Sequence, residues 1–284
     1  MNLYQQLTAM ADEIESIDVR TSEVWYRRFA IFSANLGLLM PNISMADHLD
    51  LFKKTIRNQC WAKEEQHHFF EMAYDLDNSV GEILSGLSER PAIIATFHSG
   101  SYRLLGQVLA KMDIKFSLLL AADIAIDQGE TFRRSVQAIG GPLPTAFDII
   151  DAESPTAGLK MLRCLSRGES LLAYVDGNTG AGNQRSKTVP VSFMGGVLHV
   201  RQGLPWLAYR AGVPLHVIHC LRQGPGRARF KLGVNPLIVS DRCTPIASDA
   251  KQAMQVLYAD LAAHITDEPW QWECWLYLQH YLLK

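Results

Sequence analysis

From Pro91 onward the chain breaks into short apolar runs closed by polar or glycine-rich segments: PAIIATF, KFSLLLA, TAFDII, SLLAYV, TVPVSF, PLHVIHC and RFKLGV. Runs of this length bounded by turn residues predict strands. Between them lie segments with a helical period, such as Ser101 to Met112, where Leu104, Leu105, Val108, Leu109 and Met112 form one stripe. A second helix is expected to open at Ser154 and Pro155, an N-cap followed by proline at the first helical position. Strands alternating with helices predict an α/β fold: a mixed, mostly parallel central sheet flanked by helices.

The first 88 residues have a different texture. Ser44 stands three residues before Asp47, in the manner of a capping box, and Leu49, Phe52, Ile56 and Cys60 follow at helical intervals. Residues 1–88 therefore read as a helical region and 89–284 as the α/β region, with a soft boundary compatible with one integrated domain. The last thirty-odd residues return to helix and end in the Trp-rich PWQWECWLY. The tryptophans at 270, 272 and 275 suit either core packing or an apolar surface for an acyl chain or lipid.

Composition narrows the function classes. The chain has 284 residues, 48% hydrophobic and 20% charged, with 27 Lys and Arg against 29 Asp and Glu. A formal charge of −2 leaves no broad positive field for nucleic acid. The five cysteines are scattered and form no CxxC pair, which fits reduced thiols and a cytoplasmic protein. The N-terminus lacks a basic, then apolar, secretion signal. The stretches Phe29 to Met40 and Phe116 to Ile126 fall short of the roughly 20 apolar residues of a membrane span. No transmembrane segment is expected, although peripheral contact with an inner membrane remains compatible.

Two places carry candidate chemistry. ATFHSGSYRLLGQVL is a strand, a small-residue turn and a helix start, and it puts His98 where open α/β sheets bind ligands. A histidine there can take a proton from an attacking hydroxyl or amine, while N–H groups near Ser99 and Gly100 stabilise an oxyanion. The plainer alternative is a histidine that closes a strand end. The second place is AYVDGNTGAGNQRSKTVPVSFMGG, where Asp176, Gly177, Asn178 and Thr179 can form a backbone nest and Arg185 and Lys187 can meet a phosphate or carboxylate. An exposed loop solvated by its charges explains the same composition. Downstream, Arg201 and Gln202 precede the apolar helix GLPWLAYRAGVP, whose Trp206 and Leu207 are expected in the core. His67 with His68, and His216 with His219, point in divergent directions and make no metal site. HSGSY lacks the glycine spacing of a nucleophile elbow around Ser101.

Taken in order, NLGLLMPNISMADHLDLFKKTIRN, ATFHSGSYRLLG, the long block from Val175 to Cys220 and EPWQWECW resemble the lysophospholipid-acyltransferase-like superfamily, within it the bacterial late acyltransferases of lipid A biosynthesis. The resemblance runs from about Arg28 onward. It implies the glycerolipid-acyltransferase-like fold and transfer of an acyl group from a carrier-protein or coenzyme A thioester to a hydroxyl or amine, with no metal or redox cofactor. His98 would be the general base. An acyl carrier protein would be a partner, and a lipid or small molecule the acceptor.

In that family a carboxylate follows the histidine after four residues, and here the count lands on Arg103. Arginine cannot accept a hydrogen bond from imidazole. Either His98 acts alone, or another acid such as Asp176 or Asp123 orients it, or the chain is an inert acyl or carrier-protein binding homologue. A thioesterase using Ser101 is a further alternative. Arg103 would then be available for an acidic acceptor or the carrier's phosphopantetheine phosphate. With Ser101, Asn178, Arg185, Lys187 and Arg201 along the approach, the reading is a soluble acyltransferase of a specialised lipid or secondary-metabolite pathway.

Overall fold

The run after Pro91 supplies the centre of the sheet. β2 (Ile93–Thr96) is buried at all four positions, as a strand covered on both faces must be. It pairs in parallel with β5 (Ser170–Tyr174) on one side and β8 (Leu215–Gly224) on the other. The computed structural model describes residues 2–139, 147–177, 188–234, 246–278 and 282, with 246–249 described in backbone only. Beyond β5 the sheet continues in parallel through β3 (Phe116–Leu120) to β4 (Phe147–Asp151). Beyond β8 it continues through the antiparallel β9 (Arg227–Leu232) to β1 (Ala73–Leu76), which pairs in parallel with β9. The order is β1-β9-β8-β2-β5-β3-β4, one mixed and mostly parallel seven-stranded sheet. The α/β class expected from the alternating pattern is the class observed.

Alternation along β2 builds a core on each face. Ile93, Ala95 and Phe97 face one cluster, with α7 (Ala157–Ser166), α8 (Gly203–Ala211) and α9 (Ile246–Ile265). Ile94 faces the other, with α4 (Asn78–Gly86), α5 (Leu105–Lys111) and α6 (Ala122–Gln137). The N-terminal helices enter both cores. Leu3 and Leu7 of α1 (Leu3–Glu15) join the second, while Phe32 and Leu36 of α2 (Glu23–Leu39) and Phe52 and Ile56 of α3 (His48–His67) join the first. Each such side chain contributes up to about 1.5–3 kcal/mol on full burial. These helices are thus packed onto the sheet rather than held apart from it.

Four local expectations are corrected. β1 interrupts the region read as wholly helical, because its four residues alternate exposed and half-buried along a sheet edge, too short a signal beside long helices. TVPVSF forms a strand, β6 (Thr188–Phe193), but pairs with β7 (Gly196–Arg201) in a separate antiparallel hairpin turning at Met194, which adopts φ 50°. α7 starts at Ala157, since Ser154 caps a preceding turn through the Thr156 N–H, 3.3 Å away. Trp206 is 44% exposed while Leu207 is buried, because only one side of α8 meets the sheet. Trp272 and Trp275 lie in the core. Among the described residues no helix is long and apolar enough to cross a membrane.

Candidate active site

Strand register brings the two central residues together. Thr96 is paired with Tyr174 across β2 and β5, so the residues two further on, His98 and Asp176, emerge opposite each other at the carboxyl ends of adjacent parallel strands. His98 Nδ1 lies 2.7 Å from Asp176 Oδ1. The His98 backbone N–H donates to the same carboxylate at 3.0 and 3.1 Å. An ionised carboxylate only accepts, so Nδ1 carries the hydrogen and Nε2 presents its lone pair. The His98 side chain is 21% exposed against 2% for Asp176: the base is reachable and its partner is not.

The C-terminal segment closes over this pair. After a 3-10 turn at Pro269–Gln271, Trp272 bridges to Ser99 in antiparallel fashion and the Glu273 N–H donates to the His98 carbonyl at 2.9 Å. The Trp272 indole N–H donates to Asp176 Oδ2 at 2.7 Å, and the Cys274 thiol donates to the same oxygen at 3.2 Å. Burial alone would push the Asp176 carboxyl up, but His98, Trp272 and Cys274 outweigh it and hold it below the ordinary carboxylate range. Burial, followed by the Asp176 charge, pushes the Cys274 thiol well up, so it remains a donor.

Two tyrosines frame the imidazole. The Tyr102 ring meets it edge-on at 5.0 Å between centroids, and the Tyr174 ring lies tilted by 34° at 4.8 Å. Beneath Tyr102, whose hydroxyl donates at 3.3 Å, lies the buried Glu273. Burial raises the Glu273 carboxyl, with Arg103 and His98 opposing. Two carboxyls thus flank His98, one held low and the other raised.

Arg103 turns away from the imidazole. It packs over the rings of Tyr102 and Phe132 and donates to Gln128 at 3.0 Å and Gln66 at 3.3 Å. The carboxylate on His98 is that of Asp176, from a neighbouring strand. Asp123 is exposed at the start of α6 and binds its own neighbour's N–H.

The expected oxyanion donors are not free. The Ser99 N–H donates to the Phe97 carbonyl, that of Gly100 to Gln271 and that of Ser101 to Cys220, because the turn is pinned between β8 and the C-terminal segment. Ser101 is fully buried and its hydroxyl makes no hydrogen bond, so it has no base to activate it as a nucleophile. Arg201 ends β7 on the hairpin, paired across to Thr188, rather than on the main sheet. Asn178, Arg185 and Lys187 lie outside the described residues.

His98, Asp176 and Cys274 offer a nitrogen, an oxygen and a sulfur within 4.8 Å of one another, the grouping among the described residues close enough to hold a metal ion. The same side chains are joined by the hydrogen bonds given above. Sequence reasoning missed Tyr102, Tyr174, Glu273 and the roles of Trp272 and Cys274. Its one pointer was the segment EPWQWECW, whose alternate residues 272 and 274 face Asp176.

What fold and site define is an α/β protein with a buried acid and a half-buried histidine paired at the strand ends. The sequence matches no protein-family model and no curated protein.

Proposed function

We propose that the protein is an acyltransferase of the lysophospholipid-acyltransferase-like kind, moving an acyl group from a carrier-protein or coenzyme A thioester to a hydroxyl or amine. The observation that carries this reading is the His98–Asp176 pair: a directed imidazole with its free nitrogen outward, at the strand ends where such sheets bind ligands. Nε2 of His98 takes the proton of the acceptor as its oxygen or nitrogen attacks the thioester carbonyl. The tetrahedral intermediate collapses with breakage of the C–S bond, and the imidazolium returns the proton to the departing thiolate. Asp176 holds the imidazole in the required tautomer and stabilises its cationic form, as a buried carboxylate does in other histidine-based sites. Such assistance is worth about 10²–10⁴-fold in rate.

The test is intact-mass spectrometry of the protein with a panel of acyl carrier proteins and acyl coenzyme A thioesters and pooled hydroxyl and amine acceptors. His98→Ala and Asp176→Asn run in parallel. An acylated acceptor formed by the wild type, and lost in His98→Ala, is the expected result. Full transfer by a folded His98→Ala variant would overturn the reading. Saturable carrier binding without turnover would make the chain an inert binding homologue, and acyl release to water without an acceptor would make it a thioesterase.

A further inference from the structure

Three consecutive residues of the C-terminal segment each touch the pair from a different side. Trp272 and Cys274 both donate to Asp176 Oδ2, the oxygen turned away from the imidazole, while Glu273 holds the His98 carbonyl through its N–H. All three are buried. The Tyr277 hydroxyl, 3.1 Å from the Cys274 sulfur, can donate to that sulfur and leave the thiol hydrogen for the carboxylate. Oδ1 accepts from His98 Nδ1, and the His98 backbone N–H donates to both oxygens. The terminal torsion of an aspartate is soft, so removing the Trp272 and Cys274 donors loosens the carboxylate against rotation out of the imidazole plane, even though the His98 N–H still donates to it.

We propose that Trp272 and Cys274 are positioning residues: their two donors lock the Asp176 carboxylate in the rotation that keeps Oδ1 on His98. The inference rests on the reading of His98 and Asp176 as a working pair, and it assigns the Trp-rich end a role in the chemistry beyond packing. Neither residue touches the reacting atoms. Their effect should pass through the imidazole, lowering kcat with KM unchanged.

The test reads the hydrogen bond directly. Proton NMR of the full-length protein in water should show a downfield Nδ1–H resonance that disappears in His98→Gln. The resonance of His219, whose Nε2 lies 2.7 Å from Asp260, serves as internal control. Cys274→Ala and Trp272→Phe should broaden the His98 resonance or move it upfield and leave the control in place. They should also lower kcat roughly ten-fold, the order expected for loss of one hydrogen bond to a charged group. Cys274→Ser keeps a donor and should restore both signals. An unmoved His98 resonance with wild-type kcat in folded Cys274→Ala would overturn the proposal, and this variant decides the matter if Trp272→Phe does not fold. The resonance needs no substrate, so absence of acyl transfer in the wild type would sink the functional reading separately.

Discussion

Gly100 approaches Cys220 so closely that a Cβ added to it would stand 2.0 Å from the Cys220 carbonyl oxygen and 2.8 Å from the Arg222 amide nitrogen. Its φ of 59° lies in the left-handed region as well. Both obstacles are backbone and cannot swing aside. Gly100→Ala is expected to lose about 1–2 kcal/mol to the backbone conformation and a further ~1–3 kcal/mol to overpacking. Urea denaturation measures the sum. Because the turn carries His98, activity should fall in the same variant, and unchanged stability would mean that the turn is free to shift.

Asp176→Asn preserves size and removes charge. The amide has one accepting oxygen for four donors, two of them from His98 and one each from Trp272 and Cys274. Its own NH₂ must face another donor. Turnover should drop by about 10²–10⁴-fold. The stability effect depends on pH in a defined sense: the folded carboxyl titrates below its ordinary 3.8, so ionisation stabilises the fold above that value and the gain is lost as pH falls through the folded pKa. Asp176→Asn should be less stable than wild type at pH 7, with the gap narrowing below pH 3.8. A gap that stays constant with pH would contradict an ionised Asp176.

How far the site was legible follows from which interactions are local. The strand ending before His98 shows in the apolar run PAIIATF, and the one before Asp176 in SLLAYV, so each residue is recognisable as a strand-end position. That the two meet depends on the Thr96–Tyr174 register, a property of the folded sheet that no local pattern encodes. The same limit explains the misplaced oxyanion donors. Small residues before a helix start suggest free N–H groups, yet Gln271 and Cys220, distant in sequence, claim those of Gly100 and Ser101. Trp272 lies between two 3-10 turns, in the bridge to Ser99, and Cys274 in the second turn; neither has a helical or strand period, so only their types drew notice. Arg103 was legible as a departure from the pattern of the family that the sequence resembles; its hydrogen bonds to Gln66 and Gln128 were not.

His264 provides a second pH dependence, away from the site. Its ring stacks on His219 at 4.0 Å, beside Asp260 and with Lys231 nearby. Phe97 covers the other side of His219. Burial first, then His219 and Lys231, lower His264 to about 3, with Asp260 opposing. The unfolded chain therefore binds a proton that the folded one refuses between pH 6.5 and about 3, and stability falls as pH drops through that window. Each unit of depression is worth up to about 1.4 kcal/mol. His264→Gln should flatten the curve of unfolding free energy between pH 6.5 and 4, measured by urea titration at several pH values. An unchanged slope would place the acid sensitivity elsewhere.

Arg222 and Glu65 form an ion pair with both side chains fully buried. The guanidinium also donates to Asn58 Oδ1 at 2.8 Å and to the Gly100 carbonyl at 3.4 Å. Asn58 in turn donates to the Gln271 carbonyl at 2.9 Å, linking α3 to the segment behind the site. Removing one charge strands the other in the interior, so Arg222→Met is expected to cost about 3–5 kcal/mol. Replacing the pair, as in Arg222→Met with Glu65→Leu, removes both charges and should recover much of that loss. The double variant still lacks the donor on the Gly100 carbonyl. Stability near wild type with reduced turnover would separate the two duties of Arg222. A double variant as unstable as Arg222→Met would show that the hydrogen bonds to Asn58 and Gly100, rather than the stranded charge, dominate the cost.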